Sequence, residues 1–450
     1  MNQPNIIFMI SHDTGRYLSC YGHQVPTPEL DELAEKGIRF DQYYCPAPQC
    51  SPSRGSILTG KYPHNNGLIG LAHLNFHINE DESTIPMELK KAGYETALIG
   101  FSHETIGETA KGTYSSTYKL GYDRYMGVEG SRAPGVADTA IEYLREKAAA
   151  VEEGRPFFAN IGFWETHRSF DEYDDIKDDV DNVQVPAYLP DTENIRLDFA
   201  QFHGSVKVLD EAVGRIKAAL KETGLLENTL IIYTTDHGIA FPRAKGTMKD
   251  AGLETALIMY GPKWIQGNGR VIDELLCNID MLPTLLELAG APIPEDIDGI
   301  SFASLLRGDD APVREEFFCE LTWHDKYHPM RGIRTARYKY VKNFIDGPKI
   351  YMPVDIHRSI SGPDVREQFY VANEPEELYD LEKDPLEYTN LIHDPGYAEV
   401  AEELRRKVEN WMTSTDDPIL KGPVAGTESA KWAEEALHGR VYVPGSGGKQ

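Results

Sequence analysis

At 450 residues the chain can build one large core and a second, smaller one, since single cores rarely grow past ~250 to 300 residues. Its 72 Asp and Glu against 45 Lys and Arg give a net charge of −27, which argues against nucleic acid as a partner, and no run approaches the ~20 apolar residues of a membrane span. Five scattered Cys, at 20, 45, 50, 277 and 319, form neither a disulfide framework nor a C-x-x-C zinc pattern.

The first apolar run, Ile6 to Ile10, is short and does not alternate, as expected of a strand buried on both faces, and it ends at Ser11-His12-Asp13-Thr14-Gly15. With Met1 almost directly on this strand and no leader ahead of it, the chain reads as cytoplasmic, or as periplasmic or secreted if an export segment has been removed. After Thr27-Pro28, Glu29 to Lys36 reads as a short helix stopped by Gly37, and Ile38 to Tyr43 as a strand. Pro52 to Leu58 reads as a turn entering a helix that would aim backbone N–H groups at residue 50. Helices are then predicted over Ser83–Lys91, Asp138–Ala149, Ala200–Glu222 and Asp280–Ala289. They alternate with strands over Tyr94–Ile99, Pro156–Phe163, Thr229–Thr234 and Leu253–Met259. This alternation predicts an α/β domain with helices on both sheet faces, spanning residues 1–310. Shorter segments, including Ile333–Asn343 and an amphipathic helix over Glu402–Thr413, define a smaller α+β domain over 311–450 that ends in an extended tail through Val443 to Gly448.

Polar candidates fall just beyond the strands, where open α/β sheets place their sites. Asp13 and Asp236 each sit beside a His in a Gly-containing loop; they are either helix caps or carboxylate ligands of a divalent ion, with His12 and His237 as possible nitrogen ligands. Cys50 is either a buried thiol or a nucleophile, with Arg54 offering a fork of donors to an anion. His103, His167 and Lys245 are candidates for acid, base or anion contact.

The run Cys50-Ser51-Pro52-Ser53-Arg54-Gly55-Ser56-Ile57-Leu58-Thr59-Gly60 resembles the signature of the type I sulfatases, Cys-x-Pro-x-Arg followed by Leu-Thr-Gly. Pro4 to Phe8, Thr27 to Ala34, Asp236-His237-Gly238, Arg334 to Tyr340 and Glu377 to Pro385 follow the same family in order. The resemblance implies an alkaline phosphatase-like three-layer α/β/α sandwich with a smaller C-terminal domain. It implies that Cys50 is oxidised to formylglycine by a formylglycine-generating enzyme, and that the hydrate attacks sulfur. By the same likeness Asp13, Asp236, His237, residue 50 and the position of His12 hold one metal ion, calcium in most of the family, with manganese or zinc better suited to imidazole ligands. Arg54 would hold the formylglycine, His103 would assist collapse of its hydrate, and His167 and Lys245 would contact the sulfate and leaving group, His167 being the better general acid.

Two positions depart from the family: His12 stands where an Asp is usual, and Phe101 where a Lys is usual. The runs His64 to Leu71, Pro156 to Arg168 and Val185 to Thr192 are most similar to heparan N-sulfatases, which implies a small sulfated, amino-sugar-like substrate. His64, His73 and Arg168 are then candidate contacts to an acidic sugar, the alternative for each being a solvated surface residue. The rival functions are a phosphonate monoester or phosphodiester hydrolase of the same superfamily, and a non-catalytic anion or carbohydrate binder.

Overall fold

The computed structural model describes residues 3–105, 117–150, 154–309 and 312–437. Ten strands belong to the first part of the chain: β1 (Asn5–Ser11), β2 (Ile38–Phe40), β3 (Tyr43–Tyr44), β4 (Glu95–Gly100), β5 (Arg124–Met126), β6 (Phe157–Gly162), β7 (Thr229–Thr235), β8 (Leu257–Tyr260), β9 (Arg270–Ile272) and β10 (Leu276–Cys277). Eight of them form one sheet in the order β5-β4-β6-β1-β7-β8-β2-β9. Strands β5, β4, β6, β1 and β7 run parallel, and β8 turns antiparallel to β7.

The apolar run of β1 serves two cores at once. Ile7 and Met9 pack on one face, with helices Pro28–Lys36, Ala133–Ala149 and Glu193–Glu222; Ile6, Phe8 and Ile10 pack on the other, with helices Cys50–Thr59, Ile85–Lys91 and Met281–Leu288. The expected three-layer α/β/α arrangement is present.

The differences from expectation have local causes. The long helix begins at Glu193, seven residues before the expected start, because Thr192 caps it by accepting from the Ile195 N–H at 3.3 Å. Residues Asp250–Leu253 form a single helical turn, so β8 begins only at Leu257. Ile333–Asn343 is not one segment but the turn of a hairpin, in which the Thr335 hydroxyl accepts from the N–H groups of Arg337 and Tyr338.

That hairpin belongs to a second, antiparallel sheet, β11 (Glu316–Trp323), β12 (Tyr327–Thr335), β13 (Tyr338–Asn343) and β14 (Glu376–Asp380), covered by helix Ala398–Ser414. Its core is shared with the first part of the chain: Tyr44, Tyr62, Leu253 and Cys277 join Phe317, Leu321, Tyr340 and Val408 in one apolar cluster. The expected boundary at residues 310 and 311 and the tail through Val443 to Gly448 lie outside the described residues. Among the described residues no helix is long and apolar enough to cross a membrane.

The loop after β7 is set by a close backbone approach. Gly238 donates to the Gly252 carbonyl at 2.9 Å, and a Cβ at residue 238 would stand 1.9 Å from the Ala251 carbonyl oxygen. Gly238→Ala is therefore expected to cost about 1–3 kcal/mol by overpacking, read as a lower urea midpoint; an unchanged midpoint would mean that the Asp250–Leu253 turn yields without cost.

Candidate active site

The site is built on the carboxyl ends of β1, β7, β4 and β6. The chain leaves β1 through Asp13, whose φ of 60° is the left-handed region that Asp tolerates better than most residues. This conformation is over-determined. The Asp13 N–H donates to Asp236 Oδ1 at 2.9 Å, Thr166 Oγ1 donates to the Asp13 carbonyl at 3.2 Å, and Gly15 donates to the His237 carbonyl at 2.9 Å. Strain of this kind persists where neighbouring structure holds it, and it clusters at functional sites.

Helix Cys50–Thr59 approaches these strand ends with every residue buried. It begins at Cys50 itself, two residues earlier than expected, so its positive end faces the thiol. Asn278 donates to Ser53 Oγ at 2.8 Å, Ser53 bonds the Asp236 carbonyl, and Gly60 closes the helix in the left-handed conformation.

Around Cys50 Sγ stand His12 Nε2 at 3.0 Å, His237 Nε2 at 3.4 Å and Asp13 Oδ1 at 3.7 Å. His237 Nε2 is 3.0 Å from Asp13 Oδ1, and His12 Nε2 is 3.7 Å from Asp236 Oδ2. Donor atoms of His12, Asp13, Cys50 and Asp236 all lie within 4.8 Å of one another, and all four side chains are buried. Two carboxylates and one imidazole at this spacing, with His237 Nε2 beside Asp13, suit a divalent cation, so the residues fit the metal site that the sequence implies.

Each carboxylate has its own cation. Arg54 Nε bonds Asp236 Oδ2 at 3.0 Å while its Nη2 bonds the Ser11 carbonyl at 3.0 Å, and Lys245 Nζ bonds Asp13 Oδ2 at 2.7 Å. Burial would raise the Asp13 pKa, but Lys245 and the surrounding imidazoles outweigh it and hold the carboxyl well below its ordinary value. Burial would likewise push the Cys50 thiol up, but Lys245 and His237 outweigh it and the pKa is lowered.

His103 Nε2 lies 3.1 Å from His73 Nδ1, and its ring closes a second group with His12 and Cys50. His167 holds the Arg168 carbonyl through Nδ1 at 2.7 Å and turns Nε2 toward Asp13 Oδ2 at 3.9 Å. The two departures touch each other: the rings of His12 and Phe101 stack at 4.8 Å, and the Arg54 guanidinium lies 5.1 Å over the Phe101 ring. Trp164 stands edge-on to both rings, completing an aromatic wall.

Two expected contacts are not brought to the site. Arg168 spends all three nitrogens elsewhere, on Asp198 at 2.8 and 2.6 Å and on the Ala240 carbonyl at 2.7 Å. His64 is closed off between the second sheet and helix Ala398–Ser414, with Nδ1 2.8 Å from Glu320 and Nε2 2.8 Å from Thr415 Oγ1. His73, by contrast, is at the exposed edge of the cleft.

Two residues that sequence reasoning passed over do reach it. Asp355, in the one-turn helix Val354–His357, bonds Lys245 Nζ at 2.9 Å and joins Asp13 and His167 in a further cluster. Burial would raise its pKa, but Lys245 brings it down to about 2. His324 follows the end of β11 and interacts with Cys50 and Asp325.

With this geometry in hand, a sulfatase profile matches residues 4–291, and the N-sulphoglucosamine sulphohydrolase C-terminal family matches residues 243–359. The chain belongs to the sulfatase family and is a hydrolase of sulfate esters or sulfamates. It is 32% identical to an ulvan-active sulfatase of Formosa agariphila over 94% of this chain and 82% of that one. N-sulphoglucosamine sulphohydrolase of Homo sapiens is 27% identical, covering 93% of this chain and 92% of the relative. A solved complex of a protein with its substrate D-glucosamine-2-N,6-O-disulfate superposes with a TM-score of 0.68 at 22% identity, over 94% of this chain and 99% of the other. A phosphonate monoester hydrolase from Silicibacter pomeroyi reaches 0.71 at 22% identity, covering 92% and 96%. These last two likenesses are of fold, and place the sandwich in the alkaline phosphatase-like class.

The buried His64 generates a pH prediction. Burial opposes its charge, but Glu320 outweighs burial and raises the pKa above 6.5. A raised folded-state pKa contributes stability that is fully present below the unfolded value and is lost as pH rises through the folded one. His64→Gln should therefore cost about 3 kcal/mol near pH 6 and less near pH 9, measured by urea unfolding; a penalty that grows with pH would contradict the pairing.

Proposed function

We propose that the protein is a formylglycine-dependent, metal-dependent sulfatase that removes sulfate from a sulfated carbohydrate, with residue 50 as the nucleophile. The observation that carries this reading is the gathering of Cys50, Asp13, Asp236, His237, Arg54 and Lys245 into one buried cluster at the start of helix Cys50–Thr59. The carbohydrate is supported by relatives named for ulvan and for N-sulphoglucosamine.

Oxidised by a formylglycine-generating enzyme, residue 50 would supply a gem-diol oxygen as nucleophile and a second hydroxyl for release of sulfate. A divalent ion held by Asp13, Asp236, His237 and His12 would lower the cost of forming the alkoxide and draw charge from the sulfuryl oxygens. The protein's own groups do the rest. Arg54, fixed by Asp236 and Ser11, lends positive potential beside residue 50. Lys245 is held at the cleft by Asp13 and Asp355, where it can meet the leaving-group side. His167, whose Nδ1–H is held by the Arg168 carbonyl and whose side chain is 19% exposed, turns Nε2 toward the cleft and is the general acid once a proton is carried there. His103, beside Cys50 and steadied by His73, is the candidate base for release.

A second reading, a phosphonate monoester or phosphodiester hydrolase, is favoured by one observation: the stacked His12 and Phe101 replace the carboxylate and ammonium of the sulfatase pattern. Turnover of matched aryl sulfate, sulfamate, phosphodiester and phosphonate probes separates the two, with the sulfur substrates expected to dominate. Phosphorus substrates turning over faster would reverse the assignment.

The peptide spanning residue 50 should be lighter by about 18 Da than its cysteine form, and Cys50→Ala should abolish hydrolysis with the fold intact. Persistent activity in Cys50→Ala would remove the nucleophile assignment. Imidazole at residues 12 and 237 favours manganese or zinc over calcium. Metal analysis of protein purified without added ions should find a stoichiometric transition metal, and after chelation calcium should not restore activity.

A further inference from the structure

The cleft's strongest cations are already engaged. Arg54 is bonded to Asp236 and the Ser11 carbonyl, Lys245 is bonded to two carboxylates, and Phe101 has put an aromatic ring where a further ammonium is usual. A tetrahedral sulfuryl group has three oxygens to satisfy, and an oxyanion left without donors in a dry site is costly.

On the other side of Cys50 lies His324, 5% exposed. It belongs to the second sheet, one residue beyond β11, and its backbone N–H bonds the Lys326 carbonyl at 3.1 Å, which closes a tight turn. The ring lies close enough to the Cys50 thiol to interact with it, and it is within electrostatic reach of His73, Asp355 and Lys245. Yet neither ring nitrogen has a well-directed partner, which is true of no other buried imidazole in the cluster. Asp325 stands 3.6 Å from Nδ1 and is itself held by the Val354 N–H. Beyond Asp325 and the Cys50 thiol, the ring has no further polar partner among the described residues. A buried polar group without a partner calls for an explanation, and a ligand that arrives later is one.

We propose that His324 is a substrate-contacting residue that donates an N–H to an oxygen of the transferred sulfuryl group, supplying from the second domain a donor that Phe101 does not. The proposal rests on the reading of residue 50 as nucleophile. Asp325 is then a positioning residue: its carboxylate beside Nδ1 favours the ring that carries hydrogen on both nitrogens, one N–H facing Asp325 and the other left for the substrate oxygen.

The test uses the full-length, metal-loaded protein with inorganic sulfate as the probe, bound by calorimetry, and with turnover of whichever aryl sulfate or sulfamate the parent hydrolyses fastest. Losing one charge-assisted hydrogen bond should weaken sulfate binding and lower kcat/KM in His324→Ala by about 10- to 100-fold each. The thermal midpoint, metal content and peptide mass over residue 50 should match the parent; if the Ala variant melts lower, His324→Gln is read instead, and retention of its side-chain N–H should recover part of the sulfate affinity. Sulfate that binds parent and variant equally, or binds neither, overturns the proposal. Cys50→Ala in the same assays separates the two readings. Hydrolysis by Cys50→Ala removes the nucleophile assignment, whereas an inert Cys50→Ala beside a His324→Ala that matches the parent removes only the role of His324.

Discussion

Asp13 and Asp236 hold their carboxyl groups without solvent at the ends of adjacent parallel strands, and the site is organised around keeping them there. Burying one such charge costs several kcal/mol unless it is paired and hydrogen-bonded. Asp236 is met by Arg54, which obliges helix Cys50–Thr59 to drive its first turn into the strand ends and so delivers residue 50. Asp13 is met by Lys245, and Lys245 needs a second carboxylate, which Asp355 brings from beyond the first sheet. The charge balance of the cleft is thus completed only when the two sheets are joined, which agrees with the apolar cluster they share.

The same balance accounts for the paired departures from the family pattern. A carboxylate at residue 12 would put a third anion beside Asp13 and Asp236, and an ammonium at residue 101 would answer it. Here both are replaced by rings that stack, and Arg54 lies over the outer ring. Stacking of this kind contributes about 0.5–1.5 kcal/mol beyond area burial. One anion and one cation have been exchanged for contact between uncharged groups, and the net charge of the cleft is preserved.

Much of this was legible in the sequence because parallel α/β sheets oblige polar residues to collect past strand ends. Ile6 to Ile10 announced a doubly buried strand, and Asp13, Asp236 and His237 followed from what stood after such strands. The misreadings concern partners distant in sequence. Arg168 reads as a candidate contact to an acidic sugar, yet Asp198, from the long helix, takes its fork. His64 looked like a cleft residue until Glu320 and Thr415 closed around it. His324 and Asp355 went unseen for the opposite reason: antiparallel sheets give no rule about where function collects, so only the assembled fold shows that β11 ends at the cleft.

Exchanging charge for aromatic contact also alters how the remaining charges act. Phe101 and Trp164 pack as an aromatic wall on the ring of His12, whose Nε2 is turned to the thiol. Coulomb interactions strengthen as the effective dielectric falls, so Arg54 and Lys245 exert more influence per charge beside that wall than they would in a wetter pocket. A drier cleft also makes every unanswered oxygen on a bound anion more costly. The wall therefore favours fewer but well-aimed donors. An imidazole suits that demand better than an ammonium, because its ring can be locked by a carboxylate behind it, as Asp325 stands behind His324.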